Sequence, residues 1–268
     1  TSALDREYNR RIKKYKYDKK IYENRVYHGA GKPDPSAELV YGPNIADWPE
    51  QIALGRHLLM KVVSALADPV TTTDELIPSG ETSSYRSNPM KLASFALSRK
   101  DPGYVERARA VAADEAVRRE SGALPENVMD CLGGLKIEEG TIYGSVVVSV
   151  KPGAGSAREQ AASCQRVLGG VANICKEYAT KRYRSNLINW GMLPFLTDAD
   201  HEALPFANGD YIFVPDVRKA VEEKADTVKA YVVGDGLKEI SLRLGDLTDA
   251  ERQIILDGCL INYYKATM

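Results

Sequence analysis

The chain has 268 residues, of which 44% are hydrophobic and 27% charged. These values are typical of a globular protein that buries a core, and a formal net charge of −1 gives no overall attraction to a polyanion. No apolar run is long enough to span a membrane, and the first residues lack the apolar stretch of a secretory signal. The four cysteines, Cys131, Cys164, Cys175 and Cys259, are widely spaced, so we expect free thiols in a cytoplasmic protein.

Residues 1–36 differ in composition from the rest of the chain. Lys, Arg and Tyr dominate residues 6–27, and few aliphatic side chains are available there to form a core. We interpret residues 1–36 as a basic linker or arm and residues 37–268 as one domain, with Gly and Pro marking the boundary. A basic stretch with interleaved tyrosines could also follow a nucleic-acid strand. This interpretation is less favoured, because acidic residues interrupt the stretch.

The predicted elements begin, in chain order, with strands at 37–41 and 58–67, a structured loop at 68–85, and helices at 90–98 and 103–122. Next come a buried strand at 141–150, a helix at 157–168, a short strand at 171–175 and a helix at 178–190. A β-rich portion follows, with strands at 210–215, 227–233 and 239–244, and a last helix at 249–264 that begins in a capping box. The strand–helix–strand–helix order predicts an α/β fold with a parallel sheet core, right-handed crossovers and flanking helices.

The loop at residues 151–160, KPGAGSAREQ, lies between a predicted strand and a predicted helix. This order directs backbone N–H groups and the helix N-terminus towards one place, which favours an anion. Ser156 and Arg158 add a hydroxyl and a guanidinium, and arginine can hold a carboxylate through two hydrogen bonds. The alternative is a plain turn in which Ser156 caps the helix and Arg158 faces solvent.

Other polar residues carry weaker signals. Arg86 lies between a polar loop and a predicted helix, which is typical of a surface arginine. Asp74 and Glu75 are adjacent acids in a loop, where such pairs are usually solvated. The three histidines are isolated from one another, so the sequence predicts no metal site on this chain.

Two blocks of sequence together resemble the C-terminal swivel domain of the aconitase superfamily. The family's turn, Gly-x-Gly-Ser-Ser-Arg-Glu-His-Ala-Ala, is matched by residues 153–162, GAGSAREQAA, and a Leu-Gly-Gly and a Gly-Met-Leu-Pro follow at the expected distances. Residues 70–80, VTTTDELIPSG, are similar to the family's Thr-Thr-Asp-His block. Arg86 follows where the family has an arginine that binds substrate. The resemblance covers roughly residue 37 to the end.

The resemblance implies an aconitase-type swivelling β/β/α domain and a role for each matched residue. The family reaction is the loss or addition of water on a hydroxy di- or tricarboxylic acid, with the leaving hydroxyl bound by one iron of a [4Fe-4S] cluster. Ser156 matches the serine that removes a proton as its alkoxide, and Arg86 and Arg158 match the arginines that hold carboxylates. The remaining matched positions are Ala157 at a substrate contact and, in support, Asp74, Gly153, Gly155 and Glu159.

Three residues depart from the family pattern. Ala157 replaces a serine that contacts a substrate carboxylate, Gln160 replaces a histidine, and Glu75 replaces the histidine of the Thr-Thr-Asp-His block. Each change alters the polar lining of the pocket or its support. We therefore expect a hydratase of the aconitase family whose hydroxy acid need not be citrate.

The family's cluster cysteines lie in three domains that precede the swivel domain, and none of their motifs occurs here. We therefore expect the [4Fe-4S] cluster to be held by domains that are not on this chain, which alone would bind no cluster and have no hydratase activity. The favoured interpretation is a fragment of a longer enzyme. The alternatives are a small subunit like that of an isopropylmalate dehydratase, and a non-catalytic module that binds carboxylates or RNA.

Overall fold

The computed structural model describes residues 17–23, 31–234 and 236–267. The chain separates into two units, Thr1–Val40 and Tyr41–Met268. In the described part of the first unit, α1 (Lys20–Glu23) is a single helical turn. The strand predicted at 37–41 is wrong, since residues 31–41 form no helix or strand. Leu39 and Val40 are 81% and 84% exposed, so no burial of their side chains favours a β-strand there.

Most of the basic stretch at residues 6–27 lies outside the described residues. Its interpretation as an arm, or as a nucleic-acid contact, therefore stays a prediction. The same holds for a domain boundary between residues 36 and 37.

The second unit alternates strands and helices. Its strands are β1 (His57–Leu66), β2 (Thr71–Thr72), β3 (Thr141–Ser149), β4 (Pro152–Ala154), β5 (Gly170–Cys175), β6 (Leu193–Leu196), β7 (Tyr211–Val214), β8 (Thr227–Val233) and β9 (Leu237–Arg243). Its helices are α2 (Thr73–Leu76), α3 (Pro89–Ala93), α4 (Tyr104–Ser121), α5 (Glu126–Asp130), α6 (Arg158–Val167), α7 (Lys181–Asn189), α8 (Val217–Glu222), α9 (Asp249–Asp257) and α10 (Leu260–Thr267).

Seven strands form one closed sheet, in the order β1-β3-β5-β6-β9-β8-β7. The neighbours β1, β3, β5 and β6 are parallel, which confirms the parallel core predicted around residues 141–175. The strands β7, β8 and β9 run antiparallel, and β7 pairs with β1 to close the sheet. The α/β class is confirmed, and the β-rich C-terminal portion completes the same sheet as the parallel strands.

The parallel strands are buried on both faces, which explains their nearly continuous apolar sequence. Alternate residues of β1 enter two different core clusters: Leu59 and Val63 lie in one, and Leu58 and Met60 in the other. The first cluster joins β1, β3 and β7 to helices α4 and α6. The second contains side chains from all seven strands of the closed sheet.

The last helix is the clearest departure from the predicted elements. The capping box at its start is confirmed, with Thr248 and Glu251 exchanging hydrogen bonds. The helix predicted over 249–264 is nevertheless two helices, because Gly258 takes a left-handed conformation at φ +90°. A Cβ at that position would lie 2.0 Å from the carbonyl oxygen of Ile52, so the break depends on a contact that is distant in sequence.

Smaller differences occur around the predicted site. The loop predicted at 68–80 contains β2 and α2, and the helix predicted at 90–98 is limited to α3. The helix predicted from residue 178 begins at Lys181, where the Thr180 side chain accepts a hydrogen bond from the Tyr183 N–H at 3.2 Å. Within the described residues, no helix has the length and apolar character needed to cross a membrane.

Candidate functional site

The two sequence blocks, residues 70–80 and 151–160, lie side by side. β2 pairs in parallel with β4, so that Thr71 is opposite Pro152 and Thr72 is opposite Ala154. The backbone N–H of Thr71 also donates to the Lys151 carbonyl at 3.0 Å. Segments about eighty residues apart in sequence are thereby brought into one two-stranded sheet, separate from the closed one.

Glycine is required where the second block approaches its neighbours. Gly153 has φ +95°, and a Cβ there would lie 2.3 Å from the Tyr183 ring. Gly155 has φ +139°, and a Cβ there would lie 2.1 Å from the Thr73 Oγ1 of the first block. L-residues with a side chain rarely adopt such conformations, so both glycines are structural requirements of the turn.

The first block is held by a capping box at the start of α2. The Thr72 side chain accepts from the Glu75 N–H, and the Glu75 carboxylate accepts from the Thr72 N–H at 2.7 Å. That backbone hydrogen bond is the main cause that holds the pKa of Glu75 below its usual value, and Lys100 at 3.1 Å adds to it. The residue that replaces the family's histidine therefore serves to hold the loop.

Asp74 lies on the surface of this block and is 60% exposed at its side chain. Its carboxylate pairs with the Arg99 guanidinium at 2.6 Å, and the same guanidinium binds Glu81. The pair links the first block to the segment that follows α3. A supporting role for Asp74 through Arg99 is consistent with these contacts.

Ser156 does not cap the helix that follows it. α6 begins after Ala157, and no side chain caps its N-terminus. Ser156 is exposed, and within the described part of the chain its hydroxyl has no hydrogen-bond partner. The capping interpretation of Ser156 is therefore wrong, and the hydroxyl is available for another role beside an uncapped helix N-terminus.

An open depression of about 310 Å³ lies between the two blocks. Its lining residues are Ser79, Arg86, Ser156, Ala157, Glu159 and Gln160. The structure thus brings Arg86 to the same cavity as the second block, 70 positions further along the chain. Ser79 was not among the predicted site residues, whereas Gln160 was predicted to alter the lining of the pocket or its support.

The two arginines differ in their surroundings. Arg86 is exposed, and its guanidinium reaches the Ser79 carbonyl at only 3.4 Å. No ion pair of Arg86 occurs within the described residues, so its charge is available to a ligand. Arg158 is half-buried at the start of α6, its Nε lacks a partner there, and it is not part of the lining of this depression.

Glu159 lines the depression and has a partner that the sequence did not indicate. Its Oε1 accepts a hydrogen bond from the Trp190 indole N–H at 3.0 Å. Trp190 in turn packs against Trp48, with ring centroids 4.4 Å apart. No local spacing connects these three residues, because each belongs to a different segment of the chain.

The cysteines of this chain do not fit an iron–sulfur cluster. Cys164, Cys175 and Cys259 are buried, Cys131 is exposed, and all four are free. Burial raises the pKa of the Cys164 thiol well above its usual value and that of Cys175 to about 12, which opposes the thiolate that iron requires. No group of three or more potential metal ligands occurs in the described ranges.

Comparison with known proteins agrees with the sequence resemblance. Residues 134–200 match the family model described as the aconitase C-terminal domain. A solved structure of 3-isopropylmalate dehydratase (leuD) from Methanocaldococcus jannaschii is 21% identical, with a TM-score of 0.42, and the match covers 80% of this chain and 93% of that one. No curated protein matches the sequence. The family match thus confirms the predicted resemblance over residues 134–200.

Proposed function

We propose that this chain is the carboxylate-binding and catalytic-serine domain of an aconitase-like hydro-lyase. Its substrate would be a hydroxy di- or tricarboxylic acid, and its domain the swivelling β/β/α type of that family. The observation that carries the proposal is the pairing of β2 with β4, which aligns the two motif blocks beside one depression. Without this pairing, the position of Arg86 in the sequence indicates only an ordinary surface arginine.

Arg86 and the start of α6 supply the positive charge of the site. A guanidinium without an ion pair in the described part of the chain can bind a carboxylate through two parallel hydrogen bonds. The first backbone N–H groups of α6 have no side-chain cap, and a helix N-terminus favours an anion. Arg158, the other arginine of the family motif, would hold a second carboxylate.

Ser156 would move the proton on the substrate carbon. A serine hydroxyl is a weak base in water and needs its alkoxide to be stabilised. The N-terminus of α6 and the Arg86 guanidinium both lower the energy of a negative charge near this depression. Ala157, in place of a serine, leaves this part of the lining apolar, so the natural substrate need not be citrate.

The [4Fe-4S] cluster of this family would be held outside this chain. The free cysteines do not form a ligand set, so the cluster-bearing domains would be supplied by a longer chain or by a large subunit. The complete enzyme would serve carboxylic acid metabolism in the cytoplasm, where free thiols persist. By itself, the chain would bind the acid without catalysing its dehydration.

The test of this proposal is Ser156→Ala in the enzyme assembled with its cluster-bearing domains. We expect turnover to fall by about 10²–10⁴-fold, the contribution that a single proton-transfer group makes. The dissociation constant of the acid should change by less than about threefold. Ser241→Ala is the matched control, because Ser241 is exposed on β9 and should leave turnover unchanged. Turnover near the wild-type value in Ser156→Ala would remove the serine from its proposed role.

A further inference from the structure

Glu159 places a carboxylate in the same depression as Arg86 and Ser156. One oxygen, Oε1, accepts from the Trp190 indole at 3.0 Å. Within the described residues no other hydrogen bond or ion pair involves this carboxylate, so Oε2 can accept a hydrogen bond from a ligand. An ionised carboxylate only accepts hydrogen bonds, and it therefore selects a ligand group that donates one.

Trp190 is held firmly enough to orient that carboxylate. It is 8% exposed and follows the end of α7. The next residue, Gly191, has φ +66°, and a Cβ there would lie 2.0 Å from the Gly258 carbonyl oxygen. The Trp48 ring packs against the Trp190 ring at an interplanar angle of 40°. The indole therefore has little freedom to turn its N–H away from Glu159.

The segment that carries Trp48 also contacts the chain next to Arg86. The Ala46 N–H donates to the carbonyl of Ser87 at 2.9 Å, and Ser87 is the neighbour of Arg86. Residues 46–48 thus contact both Ser87, the chain neighbour of Arg86, and Trp190, the hydrogen-bond partner of Glu159.

We infer that Trp190 is a positioning residue for Glu159, and that the oriented Glu159 carboxylate accepts a hydrogen bond from the hydroxyl of the bound acid. This inference rests on the proposed function and adds the group that distinguishes a hydroxy acid from the same acid without its hydroxyl. Arg86 recognises the carboxylate that both acids share. Glu159, held by Trp190, recognises the hydroxyl that only one of them carries.

The experiment uses two tricarboxylates that differ only in a hydroxyl, citrate and tricarballylate, titrated into the full chain by calorimetry. Neither needs to be the natural substrate. We expect the wild-type chain to bind citrate about tenfold more tightly than tricarballylate, which corresponds to about 1.4 kcal/mol. Trp190→Phe keeps an aromatic ring but removes the N–H donor. We expect it to reduce the preference to about twofold or less, with the dissociation constant for tricarballylate nearly unchanged.

A double-mutant cycle separates positioning from general damage to the fold. Glu159→Gln keeps an acceptor for the indole but replaces the second oxygen with a donor, so the preference for citrate should also be lost. Because Trp190 acts through Glu159, adding Trp190→Phe to Glu159→Gln should change the preference no further. Independent, additive losses would overturn the inference, as would an unchanged preference in Trp190→Phe. The wild-type chain binding both acids equally would overturn it while leaving the carboxylate site intact. If neither acid bound, the chain by itself would lack the carboxylate site on which both this inference and the proposed function rest.

Discussion

Replacing Gly155 by alanine is expected to destabilise the protein, because the turn has no room for a Cβ. The glycine has φ +139°, and a Cβ there would lie 2.1 Å from the Oγ1 and 3.2 Å from the Cβ of Thr73. A backbone conformation of this kind costs a residue with a side chain about 1–3 kcal/mol. Forcing an added carbon into a packed position costs about 1–3 kcal/mol more. The expected loss in the free energy of unfolding is therefore about 2–6 kcal/mol.

Urea unfolding followed by circular dichroism measures this loss. Gly80→Ala is the matched control in the first block, since no atom lies within 4 Å of a Cβ there and its φ is outside the left-handed region. We expect the control to change stability by no more than about 0.5 kcal/mol. A loss below about 0.5 kcal/mol for Gly155→Ala would refute the reasoning.

The contact with Thr73 can be separated from the backbone conformation. Thr73→Ala removes Oγ1, the atom nearest to the added Cβ. In that background, Gly155→Ala should cost about 1 kcal/mol less than in the wild type, because the two changes share a contact. An identical cost in both backgrounds would show that the close approach of the two blocks contributes nothing to the requirement for glycine.

Two further predictions concern protonation and thiol access. The pKa of Glu75 is held below its usual value, chiefly by the hydrogen bond from the Thr72 N–H. The ionised carboxylate therefore stabilises the folded chain fully above the ordinary glutamate pKa of about 4.3. This stabilisation is lost as the pH falls through the lower pKa of the folded state. Glu75→Gln should lower stability by about 1 kcal/mol at neutral pH and flatten the acid side of a plot of unfolding free energy against pH; an unchanged slope would contradict this. Ellman's reagent should react rapidly with one thiol of the folded chain, Cys131, and with all four after unfolding, because the other three are buried. Rapid reaction of a second thiol, or a fast phase that survives Cys131→Ser, would contradict the burial of the other cysteines.

Local chemistry made the two motif blocks recognisable in the sequence. The glycines of residues 151–160 predict a turn that only glycine can form. In the structure, Gly153 lies against Tyr183 and Gly155 lies against Thr73. Their role in the turn depends on a backbone conformation that other residues rarely adopt, so the glycines can be recognised from the sequence. The role of Ser156 stays a prediction, although the absence of a side-chain cap on α6 removes the main alternative.

Contacts between distant segments could not be predicted from the sequence. Glu75 looked like a solvated acid, yet it closes a capping box with Thr72 and binds Lys100. Trp190 gave no functional signal, because its partners Glu159 and Trp48 are far from it along the chain. Such contacts follow from how the helices pack, and spacing within one segment carries no information about them.

The sequence by itself determined the strongly apolar strands β1 and β3, the long helix α4, the glycine turn before α6 and the capping box of α9. Each of these follows from a local rule, either an apolar run, a cap or a backbone conformation. Only the tertiary structure decided that β7 pairs with β1 to close the sheet and that β2 lies beside β4. Strand partners are chosen by burial and hydrogen bonding across the whole fold, and that choice brought Arg86, Ser156 and Glu159 to one depression.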